Sequence, residues 1–120
     1  MPARLLIAFG LAGCAAVPAL AATAVDVEHG HRIFVARCVV CHGENADGTG
    51  QLSKLLDPKP ANLRISKLDA GARAAIVRGG GAAVGRSAAM PRWEAELSED
   101  ELRAVLAYVD TVVPSAAARP

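Results

Sequence analysis

Cys38-Val39-Val40-Cys41-His42 brings two thiols and an imidazole together within one short stretch of the sequence. On a helix the two cysteines lie on one face, and His42 projects beside them as the helix unwinds at Gly43. This is the spacing by which two thiols reach the two vinyl groups of one haem while the next residue presents an imidazole to its iron. The rival chemistries are a redox dithiol, a structural disulfide and half of a zinc site. A thioredoxin-like dithiol wants a βαβ context, and no strand pattern surrounds these residues. Tetrahedral zinc wants four ligands, for which only His29 and His31 stand nearby. With 3 cysteines in the whole sequence, a four-cysteine iron–sulfur cluster is excluded by count.

A second axial ligand has few sources. Of the 2 methionines one is Met1, which leaves Met90 in a glycine-bordered loop with Pro91 directly after it. A thioether held toward a fixed point can complete an iron site, and a lone loop methionine can equally serve packing. His29 and His31 are the competitors, but both precede Cys38 on the same helix and read as solvent-facing.

These groups need elements to hold them. Asp26 is the expected N-cap of a first helix that ends near Gly43. Residues 43–65 carry Gly43, Gly48, Gly50, Pro58 and Pro60 among Asn45, Asp47 and Asn62, which predicts a wrapping loop. Leu68 to Arg78 predicts a short second helix with Gly79 where a C-terminal cap belongs. Residues 79–97 are irregular again. Ser98 followed by Glu101 is a capping box, and Leu102, Val105, Leu106, Val109 and Val113 repeat on one helical face until Pro114. The expected fold is therefore all-α, three to four short helices joined by long loops. Loops of that length in so small a domain point to a large ligand that they enclose.

Composition sets the remaining bounds. The 120 residues are 52% apolar and 3% aromatic, which suits one domain with few bulky side chains for its core. Residues 1–22 have the layout of a secretory signal: Arg4, an apolar run from Leu5 to Leu11, and small residues around Ala19-Leu20-Ala21. Gly10, Gly13 and Pro18 interrupt the longer apolar stretch from Leu5 to Ala24, so cleavage is expected rather than a transmembrane anchor. Leu11-Ala12-Gly13-Cys14 offers a lesser alternative, a lipoprotein signal with lipid on Cys14. Loss of the leader removes Arg4 and leaves the 13 basic residues at 12, against 12 acidic. That balance gives no electrostatic case for nucleic acid or an anionic membrane surface. A domain over 23–113 and a disordered tail over 114–120 complete the expected organisation, with a periplasmic location.

Taken together, the residues resemble the class I cytochrome c family from about Val25 to Val113. The resemblance rests on Gly30 and Phe34, Cys38-Val39-Val40-Cys41-His42-Gly43, Pro60-Ala61-Asn62-Leu63, Met90-Pro91-Arg92-Trp93 and Ala107-Tyr108-Val109. It implies one covalent haem c with its iron, His42 and Met90 as axial ligands, and a crossing in which Gly30 and Phe34 meet Val105 and Tyr108. It also implies a proline carbonyl that accepts the second imidazole proton of His42, with Pro60 first and Pro58 as the alternative. Trp93 matches the aromatic beside the haem edge or against a propionate. A monomeric one-electron carrier is expected, not an enzyme, with transient redox protein partners docking by small interfaces. The alternatives are a dedicated haem subunit of a periplasmic oxidoreductase and, behind it, a haem-based ligand sensor. The Gly- and Ala-rich stretch Arg78 to Ala89 departs from the more ordered approach to the methionine seen in many relatives.

Overall fold

The computed structural model describes residues 22–114. Cys14, the leader up to residue 21 and the expected tail beyond Pro114 lie outside the described residues. The first helix, α1 (Ala24–Arg37), starts about one turn earlier than the sequence suggests. Thr23 is its cap: the Thr23 hydroxyl accepts the Asp26 backbone N–H at 3.2 Å. The Asp26 carboxylate accepts in return from the Thr23 backbone N–H at 3.0 Å and hydroxyl at 2.8 Å. Asp26 thus acts from the third helical position of a capping box and is not the cap itself.

The helix breaks at Cys38 and resumes as a single turn, α2 (Val39–His42). The wrapping loop that follows holds short 3-10 turns at Gln51–Leu55 and Leu63–Ile65. Helix α3 (Ala70–Gly79) is capped by Asp69, whose side chain accepts from the Ala72 N–H at 2.8 Å. It ends on Gly80 rather than Gly79, because Gly80 is the residue that takes the positive φ of 77° as the chain turns away. After further 3-10 turns at Ala82–Val84 and Trp93–Ala95 comes α4 (Glu99–Val112), opened by the expected Ser98/Glu101 box. No strand occurs among the described residues, and the all-α expectation holds.

The core is the crossing of α1 and α4. Ile33 and Phe34 cluster with Ala104, Val105, Val109 and Val113 and with the loop residue Ala46, and Leu102 of α4 is also fully buried. The predicted α4 face is right except at Leu106, which is half-buried, and at Ala104, which the periodicity omits. Ala104 belongs to the crossing because its carbonyl sits where a Cβ on Gly30 would be. The Phe34 and Tyr108 rings pack with centroids 5.1 Å apart, and the exposed His31 ring lies 4.9 Å from that of Tyr108. Two ion pairs fasten α3 to α4. Arg73 donates to Asp110 and to the Leu68 carbonyl, and Arg78 donates to Glu99 at 2.6 Å.

Several carboxylates are tied into these caps and bridges. Hydrogen bonds from Thr23 to Asp26, from Thr49 to Asp47, from Arg78 to Glu99 and from Ser98 to Glu101 hold all four acids below the usual carboxylate range. Since the folded pKa is depressed, each contributes stability that is complete above the ordinary pKa and is lost as pH falls through the folded value. The four acids contribute no change in the thermal midpoint between neutrality and about pH 5, and the midpoint followed by circular dichroism is expected to decline steeply below about pH 4. A midpoint that rises on acidification would contradict the capping roles.

Candidate haem site

Cys38 and Cys41 are half-buried free thiols at the junction of α1 and α2. Cys38 and Val39 pack against the α1/α4 core, so the motif is built directly onto the buried cluster. Burial, with a smaller contribution from Cys41, pushes the Cys38 thiol up to about 12. A catalytic dithiol needs the opposite shift, toward an accessible thiolate, and the redox-dithiol reading has no support in this geometry. Among the described residues no group of three His, Cys, Asp or Glu side chains comes together as a metal cluster. His29 lies instead in a cleft with Glu96, Leu97 and Glu101, at the start of α4.

His42 is oriented by one hydrogen bond. Its Nδ1 lies 3.0 Å from the carbonyl oxygen of Ala61. The acceptor expected from the resemblance was Pro60, with Pro58 behind it; the structure uses the next carbonyl along. Three contacts explain the choice. The Leu63 N–H donates to the Ala46 carbonyl at 2.8 Å, and the Gly48 N–H donates to the His42 carbonyl at 2.8 Å. A Cβ on Gly48 would fall 2.6 Å from the Pro60 oxygen and 3.3 Å from the Ala61 carbonyl carbon. The Pro60 carbonyl is therefore turned toward Gly48, and the Ala61 carbonyl is turned to the imidazole. Residue types alone do not show this, although Gly48 stands out as a glycine in a turn-rich loop.

Burial lowers the pKa of His42, and the Ala61 carbonyl opposes that shift by favouring the protonated ring. The net direction is down, which keeps the ring neutral. With Nδ1–H donating to Ala61, the tautomer is fixed and Nε2 carries the lone pair. A neutral imidazole with a committed Nδ1 is the form that binds a metal.

Met90 is half-buried, as the last residue of a hydrogen-bonded turn. Its N–H donates to the Ser87 carbonyl at 3.2 Å, and its carbonyl accepts the Gly81 N–H at 3.0 Å. The Gly- and Ala-rich approach is thus pinned at both ends by backbone hydrogen bonds. Trp93, half-buried, opens the following 3-10 turn, where its carbonyl accepts the Leu97 N–H at 2.8 Å.

The chemistry at the α1/α2 junction fits a covalent haem: two thiols one helical turn apart and a neutral histidine with an oriented ring. The apolar side chains fit it as well. Phe34 and Leu102 are the large side chains most completely buried, whereas Leu52, Leu55, Ile65 and Val84 on the loops stay exposed, Leu55 at 80% and Ile65 at 71%. Apolar loop residues left uncovered by the chain suit a fold that closes on a large apolar group.

Residues 25–109 match the family model described as cytochrome C oxidase, cbb3-type, subunit III. The match runs from the first turn of α1 to the last turns of α4 and takes in Cys38, Cys41, His42, Ala61 and Met90.

Proposed function

The chain belongs to this family of c-type cytochrome domains, with covalently bound haem c, and on that premise we propose that it is a periplasmic one-electron carrier with His42 and Met90 as its axial ligands. The observation that carries the proposal is the His42 Nδ1 contact with the Ala61 carbonyl at 3.0 Å, which dedicates Nε2 to iron on the helix end that also bears Cys38 and Cys41.

When bound, haem c supplies a one-electron iron couple. The chain's residues set how that couple is used. Cys38 and Cys41 tether the ring by thioether bonds, and His42 binds without releasing a proton because its imidazole is already neutral. The Ala61 carbonyl prevents rotation of the imidazole, so little reorganisation accompanies a change of oxidation state. Met90 would supply the second protein ligand to the iron, and with both ligands drawn from side chains no position would be left for a substrate, so that transfer would be outer-sphere. A thioether and an imidazole as the two protein ligands, within an apolar shell, would give a higher reduction potential than two imidazoles. Trp93 is assigned to the edge of the ring.

The soluble shuttle and the dedicated haem subunit share this chemistry. The family description, which is that of an oxidase subunit, favours keeping the second reading, and stable co-purification with a larger oxidoreductase would select it. Among the described residues no helix is long and apolar enough to cross a membrane.

Ferric absorption spectra of haem-loaded wild type and Met90→Ala test the axial assignment. Wild type is expected to show the weak far-red sulfur-to-iron charge-transfer band, and Met90→Ala to lose it, to have a lower potential and to bind carbon monoxide when reduced. A wild type without the band that binds carbon monoxide at neutral pH would instead indicate a ligand sensor.

A further inference from the structure

The Met90 loop has an unusual connection to the rest of the fold. Residues 82–86, 88 and 89 are exposed, and they offer no buried side chain to fix the methionine. The connection is instead made by the two glycines at the end of α3. The Gly81 N–H donates to the Met90 carbonyl at 3.0 Å, and the Gly81 carbonyl accepts the Arg86 N–H at 2.8 Å. The two backbone groups of this one residue thus fasten both the middle and the end of the loop.

The approach is so close that only glycine fits. A Cβ on Gly81 would lie 2.0 Å from the Ser87 carbonyl oxygen and 3.2 Å from the Met90 Cβ. A Cβ on Gly80, whose φ is 77°, would lie 2.9 Å from the Met90 oxygen and 3.1 Å from both the Pro91 carbonyl carbon and the Arg92 Cγ. Most of these neighbours are backbone atoms, so no rotamer change relieves the contact. The glycine pair in turn continues a helix held to α4 by Arg73–Asp110 and Arg78–Glu99.

We infer that Gly81, supported by Gly80, is the positioning residue for Met90: the missing side chains let α3 clamp the 87–91 backbone and hold the thioether at the iron. The inference rests on Met90 being the sixth ligand. A clash at Gly81 acts on the loop and not on the α1/α4 core, so it separates ligand placement from folding. Gly85 provides the control. It also has a positive φ, of 70°, but a Cβ there meets nothing within 4 Å, so Gly85→Ala adds backbone strain without displacing the loop.

Haem-loaded wild type, Met90→Ala, Gly81→Ala, Gly80→Ala and Gly85→Ala are to be compared by ferric spectrum, midpoint potential and carbon monoxide binding, with far-ultraviolet circular dichroism as the measure of fold. Gly81→Ala is expected to keep native helix content, lose most of the charge-transfer band and raise the methionine-off population by about tenfold or more. Gly80→Ala is expected to shift in the same direction by less, and Gly85→Ala to retain the band. If wild type and Gly81→Ala both show the full band and equal potentials, the clamp is refuted while the axial assignment stands. A wild type without the band refutes both. Should Gly81→Ala fail to accumulate, Gly80→Ala decides alone: a full band refutes the clamp, and a weakened band with native helix content supports it.

Discussion

The double variant Cys38→Ser/Cys41→Ser, which removes both tethers, is expected to lose more than about half of the native helical circular dichroism at room temperature and to melt without a cooperative transition. The reason lies in how little the polypeptide buries by itself. Phe34 and Leu102 are the large side chains it encloses fully, and burial of such a side chain is worth about 1.5–3 kcal/mol. Fixing the backbone of each residue costs about 1–2 kcal/mol. The segment from Gly43 to Ser66 offers only small returns against that cost: Ala46 and Ser53 are buried, but Leu52, Leu55 and Ile65 are exposed. A group that binds only the folded chain adds its binding free energy to stability, and a covalent tether makes that contribution permanent. Retention of full helix content and a sharp melt in the double variant would show that the loops are self-sufficient and that the exposed leucines have another use.

The same imbalance explains which parts of the structure were legible in the sequence. The attachment motif and the last helix are local features: Cys38, Cys41 and His42 are read from spacing, and Ser98 with Glu101 from a capping pattern that the structure reproduces. Thr23 obeys the same rule, and Asp26 reads as the cap from sequence because an acidic residue suits both the cap and the third helical position. What spacing does not show is decided by backbone approach. Ala61 accepts from His42 in place of Pro60 because Gly48 faces the Pro60 oxygen, a contact between segments with no shared periodicity. Ala104 enters the core for a similar reason, since its partner is a glycine whose only signal is the lack of a side chain. The glycine-rich run after α3, which departs from the expected order around Met90, proves to be hydrogen-bonded at Gly81. In each case the missed information was the absence of a Cβ, a property that acts only once the partner segment is in place.

Gly30→Ala makes that property measurable, because two rules predict opposite signs. Within a helix, alanine is favoured over glycine by about 1 kcal/mol, so propensity alone predicts stabilisation. At the crossing, however, the new Cβ would lie 1.9 Å from the Ala104 oxygen, 2.5 Å from its carbonyl carbon and 3.0 Å from the Tyr108 Cβ. Two of these are backbone atoms of α4, so the contact is relieved only by moving the helices apart. Overpacking of this kind typically costs 1–3 kcal/mol, and separation of α1 from α4 also loosens Phe34 against Tyr108 and opens the buried cluster around Val105. With two backbone atoms inside contact distance the clash falls at the upper end of that range and outweighs the propensity gain, and a net loss of about 2 kcal/mol is expected, equivalent to a fall in the melting midpoint on the order of 10 °C for a domain of this size. Because α1 ends at Cys38, the displacement should reach the haem site as well, and a weaker Met90 charge-transfer band is expected in the folded variant. A midpoint that rises would mean that the helices cross with more room than the structure shows, and it would leave glycine at this position without a structural reason.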